Sequence, residues 1–460
     1  MASAYLSQTI SSSTGKKFTL SMWVKRTEPG GSNMLFHLSS DSGSTNYLDF
    51  AIKNNDKLDV QLRNGSGTTY YRKRTNRVFR DTSAWYHLVW RFDSTNSTAD
   101  DRWIMYVNGE RVTDIDLDGT PSQVSSDYVT PLNRNGATLQ IGTNIGGSLY
   151  FEGCLSHVHF CDGYSYGADS FGSTDATTGE WKINTSPSVS YGTNGFLILK
   201  DGNTITDQSS NSNDFTSNGA GVTKTEDNPS NVFAVMNKLN TENGGSTLSF
   251  GNTKLVTTAQ GGGPYTGRTI ATLGATSGKY YWEVKALTDP QNTYPVVAIV
   301  GEDFSVSDSS AYLTGNNANS KTYITYKIQN GNVEYNFAGS RQGGSYGSSG
   351  STNDIIGVAL DLDNGKVFFS RNGTWGNSGD PANGTNPASS SVGSLTGNFV
   401  FPAFGDENYS SSATLEVNFG NGYFGTTAVS SAGTNASNNG IFEYDVPTGF
   451  TALSTKGLNE

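Results

Sequence analysis

The stretch Asp354–Trp375 constrains this chain more than any other. Two apolar runs, Ile355-Ile356-Gly357-Val358-Ala359-Leu360 and Val367-Phe368-Phe369, flank Asp363-Asn364-Gly365-Lys366, and a second Asn-Gly pair, Asn372-Gly373, follows at once. β-Branched and aromatic residues suit a pleated, half-buried surface, and Asn-Gly accepts the positive φ that primed hairpin turns need. The pattern predicts a β-hairpin with a further turn behind it. Chains of this kind fold as sheets and carry their function on loops.

The same signals recur along the chain. Phe18, Leu20, Met22 and Val24 alternate with Thr19, Ser21 and Trp23, which predicts a strand with one apolar face. Further strands are expected at Asn33–Leu38, Tyr47–Ile52, Lys57–Leu62, Trp85–Phe92, Trp103–Val107 and Thr138–Ile141, with Asn108-Gly109 as a turn. Charged residues make up only 15% of the chain, and glycine (55 residues) with Ser, Thr and Asn fills the gap, while 12% aromatics supply a core. No window carries sustained apolar spacing of three and four residues with caps at both ends, so helices are not expected. A length of 460 residues accommodates two domains.

A net charge of −11 predicts long-range repulsion from nucleic acid and anionic membranes. No run of about 18 apolar residues is present, so no membrane insertion is expected. Met1–Ser7 lacks a basic and an apolar region and is not read as a secretory signal. Cys154 and Cys161 fall in one expected strand, Tyr150–Cys161. Seven steps of ~3.3 Å put their α-carbons about 23 Å apart, too far for a disulfide, and an odd separation turns them to opposite faces. Both are read as buried thiols.

Several segments resemble known families. Trp85-Tyr86-His87-Leu88-Val89-Trp90 followed by Trp103–Val112 is similar to the LamG or concanavalin A-like jelly-roll. Gly278-Lys279-Tyr280-Tyr281-Trp282-Glu283-Val284, the Asp354–Trp375 stretch, Phe399–Gly405 and Thr414–Gly420 resemble the SPRY core. The ordered series Tyr150–Gly163, Ser170-Phe171-Gly172, Tyr191–Phe196, Asp207–Phe215 and Asp227–Phe233 is similar to marine tailed-bacteriophage virion proteins in which a LamG-like domain runs into a SPRY domain. The fold implied is all-β, two tandem β-sandwiches: a LamG-like jelly-roll over residues 1–200, a polar join over 201–238 that closes it, a SPRY-like sandwich over 239–430, and a C-terminal docking segment over 431–460.

Candidate sites follow from residue type and spacing. Jelly-roll glycosidases need paired carboxylates about 5–10 Å apart, and one glucanase group carries them as Glu-x-Asp-x-x-Glu, a spacing absent here. Asp114, Asp116 and Asp118 match the start of a calcium loop, although Ser125 stands where a bidentate Glu is expected. Calcium is therefore the one cofactor considered. His157 and His159 are read as surface-facing neighbours on one strand face that Cys161 continues. Arg72, Lys73, Arg74, Arg77 and Arg80 form a basic cluster in an acidic chain, suited to an acidic glycan or a neighbouring virion subunit rather than DNA. Tyr164, Tyr166, Tyr265, Arg341 and Tyr346 lie in Gly- and Ser-rich loops of the composition found in paratopes.

The resemblance implies a non-enzymatic virion surface protein, a tail fibre or receptor-binding adhesin exposed on the tail or capsid exterior. Its partners would be other virion proteins and a host cell-surface glycan or protein, and a homotrimer is expected. A capsid-decoration or head-fibre subunit is the nearest alternative, and a polysaccharide-degrading enzyme the alternative from another class.

Overall fold

The computed structural model describes residues 4–41, 45–65, 70–116, 120, 122–200, 204–242, 246–258, 267–306, 313–314, 322–337, 340–395, 397–407 and 410–459. The chain forms two compact units, Met1–Lys224 and Thr225–Glu460. It is nearly all β, and Pro290–Thr293 is the only α-helix among the described residues.

In the first unit, the described residues form a seven-stranded sheet in the order Thr216–Asn218, Tyr5–Thr9, Thr138–Ile141, Asn33–Ser39, Tyr47–Ile52, Lys57–Arg63, Tyr70–Val78. A six-stranded sheet runs Phe196–Ile198, Gly153–Asp162, Lys17–Arg26, Trp85–Asp93, Trp103–Val107, Glu110–Arg111. Phe18, Leu20, Met22 and Val24 share one buried core with Phe36, Phe50 and Val60 of the facing sheet. Phe18 meets Trp90 edge-on at 4.9 Å, and Phe50 stacks on Trp90 at 6.0 Å across the sandwich. Burying each such side chain contributes roughly 1.5–3 kcal/mol, which is why strict alternation specifies the register.

One local feature departs from the sequence reading. Ser156 pairs with Trp23 and His159 with Ser21, so His157 and Val158 together oppose Met22, and His157 adopts φ +47°. This is a β-bulge, and the extra residue reverses the parity beyond it. Cys154, opposite Lys25, and Cys161, opposite Thr19, therefore share a face instead of lying on opposite ones. Neither forms a disulfide; Cys161 is buried and Cys154 half-buried.

The second unit pairs a seven-stranded sheet, ending in Asn332–Phe337 and Ser340–Ser345, with an eight-stranded sheet centred on Lys279–Ala286 and Ile355–Asp361. The hairpin expected from the sequence is present: Ile355–Asp361 pairs with Lys366–Arg371 and closes at Asp361 opposite Lys366. That register leaves a four-residue loop in which Gly365 takes the positive φ, +65°. Asn108-Gly109 and Asn372-Gly373 form two-residue turns with positive φ at both positions.

Residues 201–238 divide between the units. Phe215 belongs to the first core and Thr216–Asn218 pairs with Tyr5–Ser7, whereas Phe233, Ala234 and Met236 belong to the second core. In the 431–460 segment, Phe442, Val446, Phe450, Ala452 and Leu453 are core residues, and Thr451–Ala452 runs parallel to Tyr280–Tyr281. The buried carboxyl of Glu283 anchors this segment. It accepts the amide hydrogens of Glu443 (2.9 Å) and Tyr444 (2.8 Å), the Tyr281 hydroxyl (3.1 Å) and the Asn418 side-chain amide (3.2 Å).

Candidate functional site

The basic strand Tyr70–Val78 does not present a free cationic surface. Arg72 is paired with the fully buried Asp59 of the adjacent strand, its Nε 2.9 Å from Oδ2. Arg74 Nε donates to Asp116 Oδ2 at 2.9 Å, and Lys57 donates to the same oxygen at 2.9 Å. Arg80 pairs with Asp56 at 2.7 Å. Lys73 folds inward onto the Trp103 carbonyl and ring, and burial lowers its pKa to about 8. Arg77 is exposed and makes no ion pair among the described residues.

The acidic and basic motifs meet at one ion pair, Arg74–Asp116. Ile115 bridges to Thr75, and the Asp116 amide donates to the Arg74 carbonyl at 2.8 Å. This lays Asp114 and Asp116 along the basic strand, where Asp114 accepts from the Asn76 side chain at 2.6 Å. The two cations on Asp116 hold its carboxyl below the ordinary range, and they occupy the oxygen that a calcium ion would need. Asp118 lies outside the described residues.

The segment 163–195 crosses the outer face of the six-stranded sheet, where Thr19, Ser21 and Trp23 alternate with the core residues. His87 is sandwiched there between Trp23 (5.0 Å) and Trp181 (5.9 Å). The Trp181 indole N–H donates to Nδ1 at 3.0 Å, so the ring proton resides on Nε2, 2.8 Å from the Ser21 hydroxyl. His157 and His159, expected at the surface, are both buried beneath this segment, with His159 Nδ1 3.0 Å from the Tyr191 hydroxyl. Burial lowers His87 to about 3 and depresses His159 as well.

The loop that follows residue 162 carries the aromatic pair. Tyr164 and Tyr166 stack with centroids 6.0 Å apart and planes 11° from parallel. The loop is tied down at three points. Thr19 Oγ1 donates to the Tyr164 carbonyl (3.0 Å) and accepts the Tyr166 amide (2.8 Å), while Arg91 Nε donates to Ser165 Oγ (2.9 Å). The Tyr166 hydroxyl also accepts the Ser190 amide at 2.9 Å. Tyr164 remains 42% exposed, high for an aromatic side chain. A ring pair held this way is preorganised and loses little entropy on binding.

The other loop candidates fare differently. Tyr265 lies outside the described residues. Ser340–Ser345, read as part of a loop, is an edge strand because Asn336 and Arg341 fall in register, and Arg341 donates to Glu334 at 2.6 Å. Tyr346 is buried at 7% exposure, its hydroxyl 3.3 Å from the Asn386 carbonyl. The glycines around it admit the ring: a Cβ at Gly376 would lie 2.5 Å from Tyr346. Tyr346 instead forms a wall of a cavity with Tyr326, Arg371 and Trp375, none of which the sequence reading singled out.

Two buried groups, His87 in the first unit and Glu283 in the second, respond to pH in opposite directions. His87 has a folded-state pKa of about 3 against about 6.5 unfolded, so the stability it confers is complete above pH 6.5 and is lost as pH falls toward 3. Burial raises Glu283 to about 7 from 4.5, so its contribution is complete below pH 4.5 and is lost as pH rises through 7. Each pKa unit corresponds to about 1.4 kcal/mol. Calorimetry between pH 4 and 8 is expected to show the first unit's melting temperature rising with pH while the second unit's falls. Parallel movement of the two transitions would refute this.

The family described as the concanavalin A-like lectin/glucanases superfamily, Laminin_G_3, matches residues 2–164, and the SPRY domain family matches residues 279–421. Among solved structures, the SPRY domain of human HERC1 is 17% identical, covering 40% of this chain and 96% of that one at a TM-score of 0.30. Domains LG4-5 of the mouse laminin alpha1 chain are 8% identical over 90% of this chain and 84% of theirs, TM-score 0.29. No curated protein matches. No helix among the described residues is long and apolar enough to cross a membrane. The chain thus carries a LamG/concanavalin A-like domain followed by a SPRY domain.

Proposed function

We propose that this chain is a non-enzymatic virion surface protein, a tail-fibre or receptor-binding adhesin that engages a host cell-surface glycan through the loops of its first sandwich. The pinned Tyr164–Tyr166 stack, with Tyr164 exposed and Tyr166 half-buried beside it, carries this reading. The C–H face of a sugar ring is apolar and its rim is polar, so a rigid phenol pair matches both parts. The neighbouring Arg91 and Ser190 supply polar groups around the rings. Sites of this kind are individually weak and gain strength through copy number, which suits a trimeric or otherwise multivalent assembly. The non-catalytic reading rests on the buried carboxylates: Glu283, Asp59 and Asp56 are all held by structural donors.

Tyr164→Ala is expected to reduce binding on a host-glycan array by tenfold or more while leaving the melting temperature within about 2 °C, since surface changes cost within roughly 0.5 kcal/mol. Retained binding would sink the site. Cryo-electron microscopy of intact virions tests the assignment to the particle. Three-fold assemblies on the tail fit a receptor-binding subunit, and copies spread over the capsid lattice would replace it with a decoration role.

A further inference from the structure

At one end of the second sandwich, Arg371–Asn377 faces Tyr346–Ser348 across a cavity of about 380 Å³. This size lies at the lower end of small-molecule sites, roughly 300–1,000 Å³. Its floor is aromatic, with Tyr326 stacked on Phe369 at 5.0 Å. Its sides are Tyr346 and Trp375, and the close fit of Gly376 and Gly379 against Tyr346 fixes that wall before any ligand arrives.

The wall carries the Arg371 guanidinium together with groups that both donate and accept, among them Ser348, Thr374 and Asn377. Tyr326 and Trp375 both line the cavity, and the Tyr326 hydroxyl and the Trp375 indole N–H make no hydrogen bond among the described residues and are not fully buried, so both are open to a ligand. Arg371 spends Nη1 on the Ser349 carbonyl and approaches Asp354 at 3.5 Å, leaving Nε and Nη2 without a protein acceptor. Asp354 does not line the cavity, and it is committed elsewhere. Its Oδ1 accepts from the Asn372 side chain (2.7 Å) and its Oδ2 from the Ser351 amide (2.7 Å). A guanidinium with two adjacent free N–H groups is shaped for a carboxylate.

We propose that this cavity is a second ligand site, specific for an acidic sugar residue whose carboxylate sits on Arg371, whose hydroxyls meet Tyr326, and whose ring lies against Trp375. The site is independent of the Tyr164–Tyr166 stack. It also adds a second place for acidic-glycan recognition, because three of the five cations in the sequence's basic cluster are paired with Asp59, Asp56 and Asp116.

The test is ligand-observed NMR on the full chain with glucuronate, galacturonate and N-acetylneuraminate, against glucose and galactose as neutral controls. At least one acidic sugar is expected to bind tenfold or more tightly than the neutral ones. Arg371→Gln is expected to abolish that preference. Tyr326→Phe, which keeps the ring stack and removes only the hydroxyl, should weaken binding several-fold with an unchanged melting temperature. The double variant Tyr164→Ala/Tyr166→Ala should leave it intact, which separates this site from the first-sandwich reading. Equal binding of neutral sugars, no binding of any probe, or full binding by Arg371→Gln would each overturn the proposal. Binding of a short acidic peptide with all sugars inert would also overturn it.

Discussion

Replacing Glu283 by alanine is expected to release residues 431–460 from the second sandwich and to lower that unit's stability by about 3–5 kcal/mol. The carboxyl receives four donors, two of them backbone amides of the docked segment, and all four lose their acceptor together. Glu283 is fully buried, so water cannot replace it without opening the structure. The segment's own burial, with Phe442, Phe450 and Leu453 in the core, then no longer offsets the entropy of ordering the chain. At roughly 2–4 °C per kcal/mol for a unit of this size, the second melting transition should fall by about 10 °C. Limited proteolysis should remove the segment from the variant and spare the parent. The alkaline decline in stability should vanish with the carboxyl. Glu283→Gln should recover only part of the loss, because its amide nitrogen turns a donor toward two of the four donors. A native-like melting temperature in Glu283→Ala would show that the apolar contacts alone dock the segment.

Arg26→Ala should cost the first unit a comparable amount, about 3–5 kcal/mol, the usual penalty for breaking a buried ion pair by removing one partner. Arg26 is 1% exposed and donates to Asp56 Oδ1 at 2.5 Å, to the Phe79 carbonyl at 3.0 Å and to the Gly31 carbonyl at 2.6 Å. One guanidinium therefore ties together the turn after its own strand, the Asp56 turn and the start of the loop after Val78. Asp56 keeps Arg80 and the Gly30 amide, but Arg80 is 60% exposed and screened by solvent. The first calorimetric transition should move down while the second stays in place, which also assigns the transitions needed for the pH experiment. Arg26→Met, which fills the volume without the charge, should lie between parent and alanine variant. Equal melting temperatures for all three would remove the ion pair from the list of stabilising features.

How much of this was legible beforehand differs from residue to residue. Arg26 continues the parity of Phe18, Leu20, Met22 and Val24, so its phase alone pointed inward, but nothing local pointed to Asp56 thirty positions on. The cluster around Arg72–Arg80 and the acidic run at Asp114–Asp116 were both conspicuous and were read as separate sites. They lie side by side, joined by the Thr75–Ile115 bridge and the Arg74–Asp116 ion pair, because folding brings together segments that sequence distance keeps apart. Cys154 and Cys161 were assigned opposite faces by counting, and a single bulged residue at His157 reversed the count. Thr19, Ser21 and Trp23 were read only as the face opposite the apolar one, and the 163–195 segment covers that face.

Local chemistry along the chain was enough to determine most of the strands and two of the Asn-Gly turns, since alternation and turn residues act over a few positions, and the resemblance supplied the two-sandwich class. Only the tertiary structure decided which charges neutralise one another, which histidines are buried, that Tyr346 is a wall rather than a free loop tip, and that Tyr326, Arg371 and Trp375 share a cavity. Those outcomes depend on strand order and sheet packing, where residues far apart in sequence meet and where desolvation decides each group's charge and partner.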